Sequence, residues 1–172
     1  MTIIKGSGMI DGTDEHDTII GDKDGLTSDV IRGFKGDDEI RAYGEDDELR
    51  GGAGNDLLTG GDGSDTLWGG DGRDTFNLAT DIPGVDQIMD FEPGKDKIVI
   101  ADYGNPGGIF PDWELETGGM NAADKKITTV IYNDSNGKLF LDRDGRGDEK
   151  ASLIAVMNEG LKVSDADFFV IG

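Results

Sequence analysis

The sequence predicts an all-β chain made by stacking one short turn-and-strand unit, and three observations carry that expectation. Residues 51–77 hold three nine-residue units in strict register, Gly51 to Thr59, Gly60 to Trp68 and Gly69 to Asn77. In each, glycine fills places one, two and four, aspartate place six and a large apolar residue place eight. The same aspartate-then-apolar step also recurs on the N-terminal side, though the glycines thin out there. Finally, one such unit buries nothing by itself, so the units must stack to form a core.

Taken in chain order, Gly12 to Ile20 is the first unit, with Asp17 and Ile19. Gly21 to Arg32 holds twelve residues and ends on Asp29, Val30, Ile31 and Arg32, as though three residues had entered a turn. Gly33 to Arg41 keeps Gly33, Gly36, Asp38 and Ile40, and Ala42 to Arg50 keeps Asp47 and Leu49 without glycine at places one, two or four. The aspartates therefore run 17, 29, 38, 47, 56, 65 and 74, and the apolar places are Ile19, Ile31, Ile40, Leu49, Leu58, Leu67 and Phe76. Glycine lets a turn take positive φ and aim its carbonyl oxygens inward. Such a turn, with one carboxylate, supplies half the oxygen shell that a hard cation such as calcium wants, and a stacked neighbour supplies the rest.

The pattern Gly-Gly-x-Gly-x-Asp-x-apolar-x resembles the calcium-binding nonapeptide of the RTX family. That resemblance implies a right-handed parallel β-roll over residues 12 to about 100, each unit forming half a turn and alternate units sharing a side. Asp17, Asp38, Asp56 and Asp74 then fall in one column, and Asp29, Asp47 and Asp65 in the other. It also implies that each ion sits between units n and n+2. The lower turn offers the carbonyls of places one and three, the upper turn those of places two and four, and both offer their aspartate. Places one and three are Gly33 and Lys35, Ala42 and Gly44, Gly51 and Ala53, Gly60 and Asp62, and Gly69 and Asp71. Places two and four are Gly52 and Gly54, Gly61 and Gly63, and Gly70 and Gly72. The best-formed site joins Gly51, Ala53 and Asp56 to Gly70, Gly72 and Asp74; the next joins Ala42, Gly44 and Asp47 to Gly61, Gly63 and Asp65.

Beyond the units, Asp86 to Phe91 and Asp96 to Ile100 keep the aspartate-then-apolar step and are expected to close the roll, with Asp86, Asp90 and Asp96 as further candidate ligands. Residues 101–172 are expected to form a smaller β-rich cap. Within it, Thr128 to Tyr132 and Lys138 to Leu141 flank Asn133-Asp-Ser-Asn-Gly137, a hairpin signal. The segment from Asp142 to Asp148 resembles a calcium loop but has Leu153 at the twelfth place, so a solvated turn is expected; Arg146-Gly147-Asp148 is read as a chance tripeptide. Ser164 is expected to cap a short helix with Asp165 and Asp167 near its positive end. The ending Phe168-Phe-Val-Ile-Gly172, an acidic residue followed by apolar ones, is similar to the uncleaved signal of type I exported RTX proteins.

Composition limits the function. The formal charge is −21, from 37 acidic and 16 basic residues. A nucleic-acid face needs an excess of Lys and Arg, so that partner is not expected. Such self-repulsion with few apolar residues also marks chains that stay unfolded, which predicts folding coupled to metal; about five calcium ions would cancel roughly half the charge. Cysteine is absent and His16 is the single histidine, so Cys–His, Ser–His–Asp and His-rich zinc sites cannot be assembled. Paired carboxylates are abundant, but the turn aspartates are already committed to metal, so catalysis is not expected. No apolar run approaches a membrane span, and Met1 to Gly6 lacks the apolar region of a cleaved signal. The units begin close to Met1, so an upstream catalytic domain in this chain is not expected.

These readings converge on a secreted, extracellular calcium-binding protein exported by type I secretion machinery. The alternative expectations are an export and stability module of a larger enzyme (a metalloprotease, lipase or epimerase) and a module binding an acidic polysaccharide or cell surface. Arg32, Arg50 and Trp68 at ninth places would line one outer face and suit an acidic sugar chain. Glu48 and Glu39 stand two places before Arg50 and Arg41, so local ion pairing explains that stripe more simply.

Overall fold

A computed structural model of the chain describes residues 1–24, 26–80, 83–101, 113–118, 128–143 and 151–171. The described chain is nearly all β, a parallel solenoid of about six turns. The strands are β1 (Thr2–Lys5), β2 (Met9–Asp11), β3 (Asp17–Ile20), β4 (Val30–Lys35), β5 (Glu39–Tyr43), β6 (Glu48–Ala53), β7 (Leu57–Gly61) and β8 (Thr66–Asp71). They continue as β9 (Thr75–Ala79), β10 (Asp86–Ile88), β11 (Lys97–Ala101), β12 (Trp113–Thr117), β13 (Thr128–Asn133), β14 (Lys138–Asp142), β15 (Ser152–Val156) and β16 (Phe168–Ile171).

Up to β11, odd and even strands part into two sheets, and β12 to β16 then join one or the other. One runs β1-β3-β5-β7-β9-β11-β16 and the other β12-β13-β14-β15-β10-β8-β6-β4-β2. Place eight pairs with place eight of the unit eighteen residues on, as Leu49 with Leu67 and Leu58 with Phe76. Alternation along each strand sends that side chain inward. Ile19, Ile31, Ile40, Leu49, Leu58, Leu67 and Phe76 are all fully buried, and Ile88, Ile98 and Phe168 extend the rows. The core is therefore a narrow double file, with Leu78 and Ile100 as a second inward place on the β9 and β11 side.

The roll is longer than the repeats. β1 and β2 add a turn before the first unit, pairing Ile4 with Ile19 and Ile10 with Ile31. Sheet pairing also runs across residue 100. β15 pairs in parallel with β10, and β16 with β11 through Ile98–Phe168 to Ala101–Ile171. The C-terminal strands thus complete the last turn.

The hairpin forms as expected, β13 antiparallel to β14, with Gly137 at φ 70° donating its N–H to the Asn133 carbonyl. The expected terminal helix is a single 3-10 turn, Asp165–Asp167. Phe168 onward is drawn into an extended rung of the sheet, which stops any helix from propagating. The Asp167 carboxylate accepts the Ser164 N–H and hydroxyl and the Gly94 N–H, tying this turn to the roll. Most of the loop from Asp142 to Asp148, the tripeptide ending on Asp148, and Gly172 lie outside the described residues. Asp142, at the start of that loop and the last residue of β14, is buried.

Candidate metal centres

The turns stack as closely as backbones allow. A methyl on Gly52, Gly61 or Gly70 would strike the Phe34, Tyr43 or Gly52 carbonyl oxygen of the turn below, and one on Gly72 would strike that of Gly54. These glycines also sit at positive φ, such as 121° at Gly61 and 142° at Gly72. The degenerate units hold the same conformation without glycine: Phe34 is at 79°, Tyr43 at 89° and Glu45 at 69°. Beneath those three lie the first two units, whose glycine placement and length have drifted, although a Cβ on Gly36, in the same turn as Phe34, would still strike the backbone of Glu15 and His16.

Place six builds a ladder in each column. Asp17, Asp38, Asp56 and Asp74 each donate their backbone N–H to Oδ1 of the next rung, Asp38, Asp56, Asp74 and Asp96, at 2.8–3.1 Å. Asp29, Asp47 and Asp65 do the same to Asp47, Asp65 and Asp86, at 2.7–3.1 Å. The two columns are those the arithmetic of the repeats predicts, lengthened by Asp96 and Asp86.

The second carboxylate oxygen is the telling one. Oδ2 of Asp38, Asp47, Asp56, Asp65 and Asp74 is buried and has no hydrogen-bond partner. Burying an acceptor without a donor is costly, more so when it carries charge. Burial first, with the neighbouring aspartates of the column adding to it, pushes the carboxyls of Asp47 and Asp56 up to about 7 and that of Asp65 to about 8. Burial likewise raises Asp74 and Asp86 to about 6, and raises Asp38 and Asp96. A methyl on Gly51 would meet Asp56 Oδ2 and lie 2.7 Å from the Gly69 carbonyl oxygen; one on Gly33 would meet Asp38 Oδ2 and lie 2.5 Å from that of Gly51. Carboxylate and carbonyl oxygens of successive turns thus face one point with no donor between them, which is the donor set of a hard cation.

Among the described residues, no three carboxylate or imidazole side chains converge. One carboxylate enters per rung, so the remaining ligands of an ion here are backbone carbonyls. The place-three carbonyls of Ala53 and Asp71 accept the Gly36 and Gly54 N–H groups and keep a second lone pair. Asp62 and Asp71 present exposed side chains, leaving their main chain to serve.

Other candidates stand differently. Both oxygens of Asp90 accept backbone N–H groups, from Gly69 at 2.9 Å and Gly70 at 3.0 Å. His16 is exposed, as its fifth place predicts. Sequence reasoning missed an outer ladder at that place: Asp37 Oδ1 accepts the Asn55 N–H, Asn55 Oδ1 accepts that of Arg73, and Asp46 Oδ1 accepts that of Ser64. The polar run Asp37, Asp46, Asn55 and Ser64 at period nine was its available signal. Arg32, Arg50 and Trp68 do align across β4, β6 and β8. Arg50 pairs with Glu48 and lies 4.7 Å from the Trp68 ring, Arg32 pairs with Asp11, and Arg41 with Glu39.

Residues 41–76 match the family model of the RTX calcium-binding nonapeptide repeat (4 copies). No curated protein matches the chain. The matched segment spans β6 to β8 and holds Asp47, Asp56, Asp65 and Asp74, so the ladder and the family pattern coincide.

Proposed function

We propose, for a chain that carries RTX calcium-binding repeats, that it is a secreted protein whose roll folds when calcium fills its turns outside the cell. The observation that carries this reading is the stack of five buried Oδ2 atoms without a donor. Without a cation they oppose folding, and with one they become ligands. The ligand sets are Gly51, Ala53 and Asp56 with Gly70, Gly72 and Asp74, and Ala42, Gly44 and Asp47 with Gly61, Gly63 and Asp65. Bound calcium supplies the positive charge that lets stacked carboxylates stay ionised in a dry interior. The chain's own residues fix one carboxylate per turn through the Oδ1 ladder and bring the carbonyls to it.

A formal charge of −21 keeps the metal-free chain extended where calcium is scarce, a state fit for threading through type I secretion machinery. Extracellular modules bind calcium at ~10⁻⁴–10⁻³ M, a range that separates the two sides of a cell envelope. The Arg32–Arg50–Trp68 row gives little support to polysaccharide binding, because both arginines are paired with carboxylates on the same face. The test is far-UV circular dichroism with Trp68 and Trp113 fluorescence, titrating calcium into chelator-stripped protein and repeating with magnesium. A cooperative gain of β structure with calcium alone is expected. A chain equally folded in chelator defeats the switch.

A further inference from the structure

The rungs are not equivalent. In the five central ones, Asp38, Asp47, Asp56, Asp65 and Asp74, Oδ2 has no partner. In three rungs at the ends of the ladders that oxygen is already taken by the chain. Asp17 Oδ2 accepts both the backbone N–H and the hydroxyl of Thr13, each at 2.7 Å. Asp29 Oδ2 accepts the Asp22 N–H at 2.9 Å, and Asp96 Oδ2 accepts the Glu92 N–H at 2.8 Å. The donor comes in each case from the rung's own turn, four or seven residues upstream. Oδ1 of Asp17, the atom that would take the N–H of an earlier rung, is buried without a hydrogen bond, whereas that of Asp29 accepts the Gly8 N–H from the turn beneath it.

Resting on the calcium reading above, we propose that Asp17, Asp29 and Asp96 are metal-independent closures, and that calcium enters only at the five rungs between them. A main-chain or hydroxyl donor stands at each closure where the central rungs have none, so the carboxylate is satisfied as an ionised group without an ion. The sequence drift has a physical meaning on this view. The twelve-residue turn of Gly21 to Arg32 and the threonine at place two of the first unit break the glycine pattern, and each delivers a donor to its aspartate. Three of the four ladder ends thereby stop without a half-built site; the fourth end is Asp86, whose Oδ1 accepts the Asp65 N–H.

The test counts ions in the full chain. Calcium retained against excess magnesium is measured by equilibrium dialysis and native mass spectrometry for the wild type, Asp17→Asn and Asp56→Asn. The wild type and Asp17→Asn are expected to retain the same number of ions, and Asp56→Asn at least one fewer. Asp17→Asn should lower the thermal midpoint in chelator and in calcium alike, as loss of a structural hydrogen-bond acceptor does. An ion lost with Asp17→Asn, or none lost with Asp56→Asn, overturns the closures. No retained calcium at all overturns instead the reading on which they rest. Should Asp17→Asn fail to fold, Thr13→Val, which removes only the hydroxyl donor, is counted in its place, and an ion lost there is equally decisive.

Discussion

Replacing Asp65 with asparagine isolates the charge of one rung. Asparagine keeps a carbonyl oxygen that can accept the Asp47 N–H, now 2.9 Å from Oδ1, and it occupies the same volume. What changes is Oδ2, buried and without a donor, which becomes an amide. Asp65 stands between Asp47 and Asp86 in its column and shares one proposed ligand set with Asp47. A site with a dissociation constant of ~10⁻⁴–10⁻³ M contributes about 1.4–2.7 kcal/mol at about 10 mM calcium, and losing it removes that much. In chelator the sign reverses. Burial and the neighbouring Asp86 and Asp47 raise the Asp65 carboxyl to about 8, so a neutral side chain there leaves the metal-free roll as stable as the wild type or more so. Thermal and urea denaturation followed by circular dichroism, with and without calcium, reads both numbers, and the calcium midpoint of folding replaces them if the metal-free chain is unfolded. Asp62→Asn is the control, the same charge change in the same turn on an exposed side chain. Equal losses for the two variants, or an equal loss for Asp65→Asn in chelator and calcium, would refute the reasoning.

Further outcomes follow from the same geometry. Gly72→Ala, at φ 142° with its methyl driven into the Gly54 carbonyl, should abolish calcium-induced folding, whereas Gly94→Ala, at φ 80° in open space, should cost only about 1–2 kcal/mol for its backbone conformation; a calcium titration by circular dichroism separates them. Glu45→Gly relieves a non-glycine residue held at φ 69° and should raise the calcium-bound thermal midpoint, a net gain of about 0.5–1 kcal/mol after the larger unfolded-state entropy of glycine. Protonation should stabilise the metal-free roll: the raised carboxyls of Asp47, Asp56, Asp65, Asp74 and Asp86 lie at about 6 to 8 against an ordinary aspartate value of 3.8. That contribution is complete below the unfolded value and vanishes as pH rises through the folded ones. In chelator, β content should therefore rise as pH falls from 8 towards about 5, and a metal-free roll most stable at pH 8 would contradict this. In calcium the same linkage runs the other way, with binding weakening over that interval as protons compete for the ligands.

Both columns and the whole file of place-eight side chains were legible because a strand alternates sides and a repeat fixes the step. Once Leu58, Leu67 and Phe76 are in register, Ile19, Ile31, Ile40 and Leu49 follow by counting. The first turn escaped because Gly6-Ser7-Gly8 carries no aspartate, leaving only Ile4 and Ile10 to signal it. The return of β15 and β16 escaped for a different reason. Their partners Asp86, Gln87 and Ile98 to Ala101 lie some seventy residues away, and no local period encodes such a pairing. Asp90 is a candidate ligand as an acid of the closing segment Asp86 to Phe91, and the spacing gives no sign of the two N–H groups that Gly69 and Gly70 turn towards it. The central rungs were legible in the aspartate spacing, whereas the end rungs depend on which neighbour donates, and Thr13, Asp22 and Glu92 announce that only in three dimensions.

Closure by β15 and β16 also leaves the middle of the roll free to change length in evolution. Because β10, β11, β15 and β16 all follow the repeats, adding one nine-residue unit among the repeats would carry all four to the opposite sheet together, and the pairings of β15 with β10 and of β16 with β11 would survive. Each would stack on a rung of the same shape, since place eight meets place eight in both sheets. The ending travels as one block, so lineages of this chain can differ by single repeats.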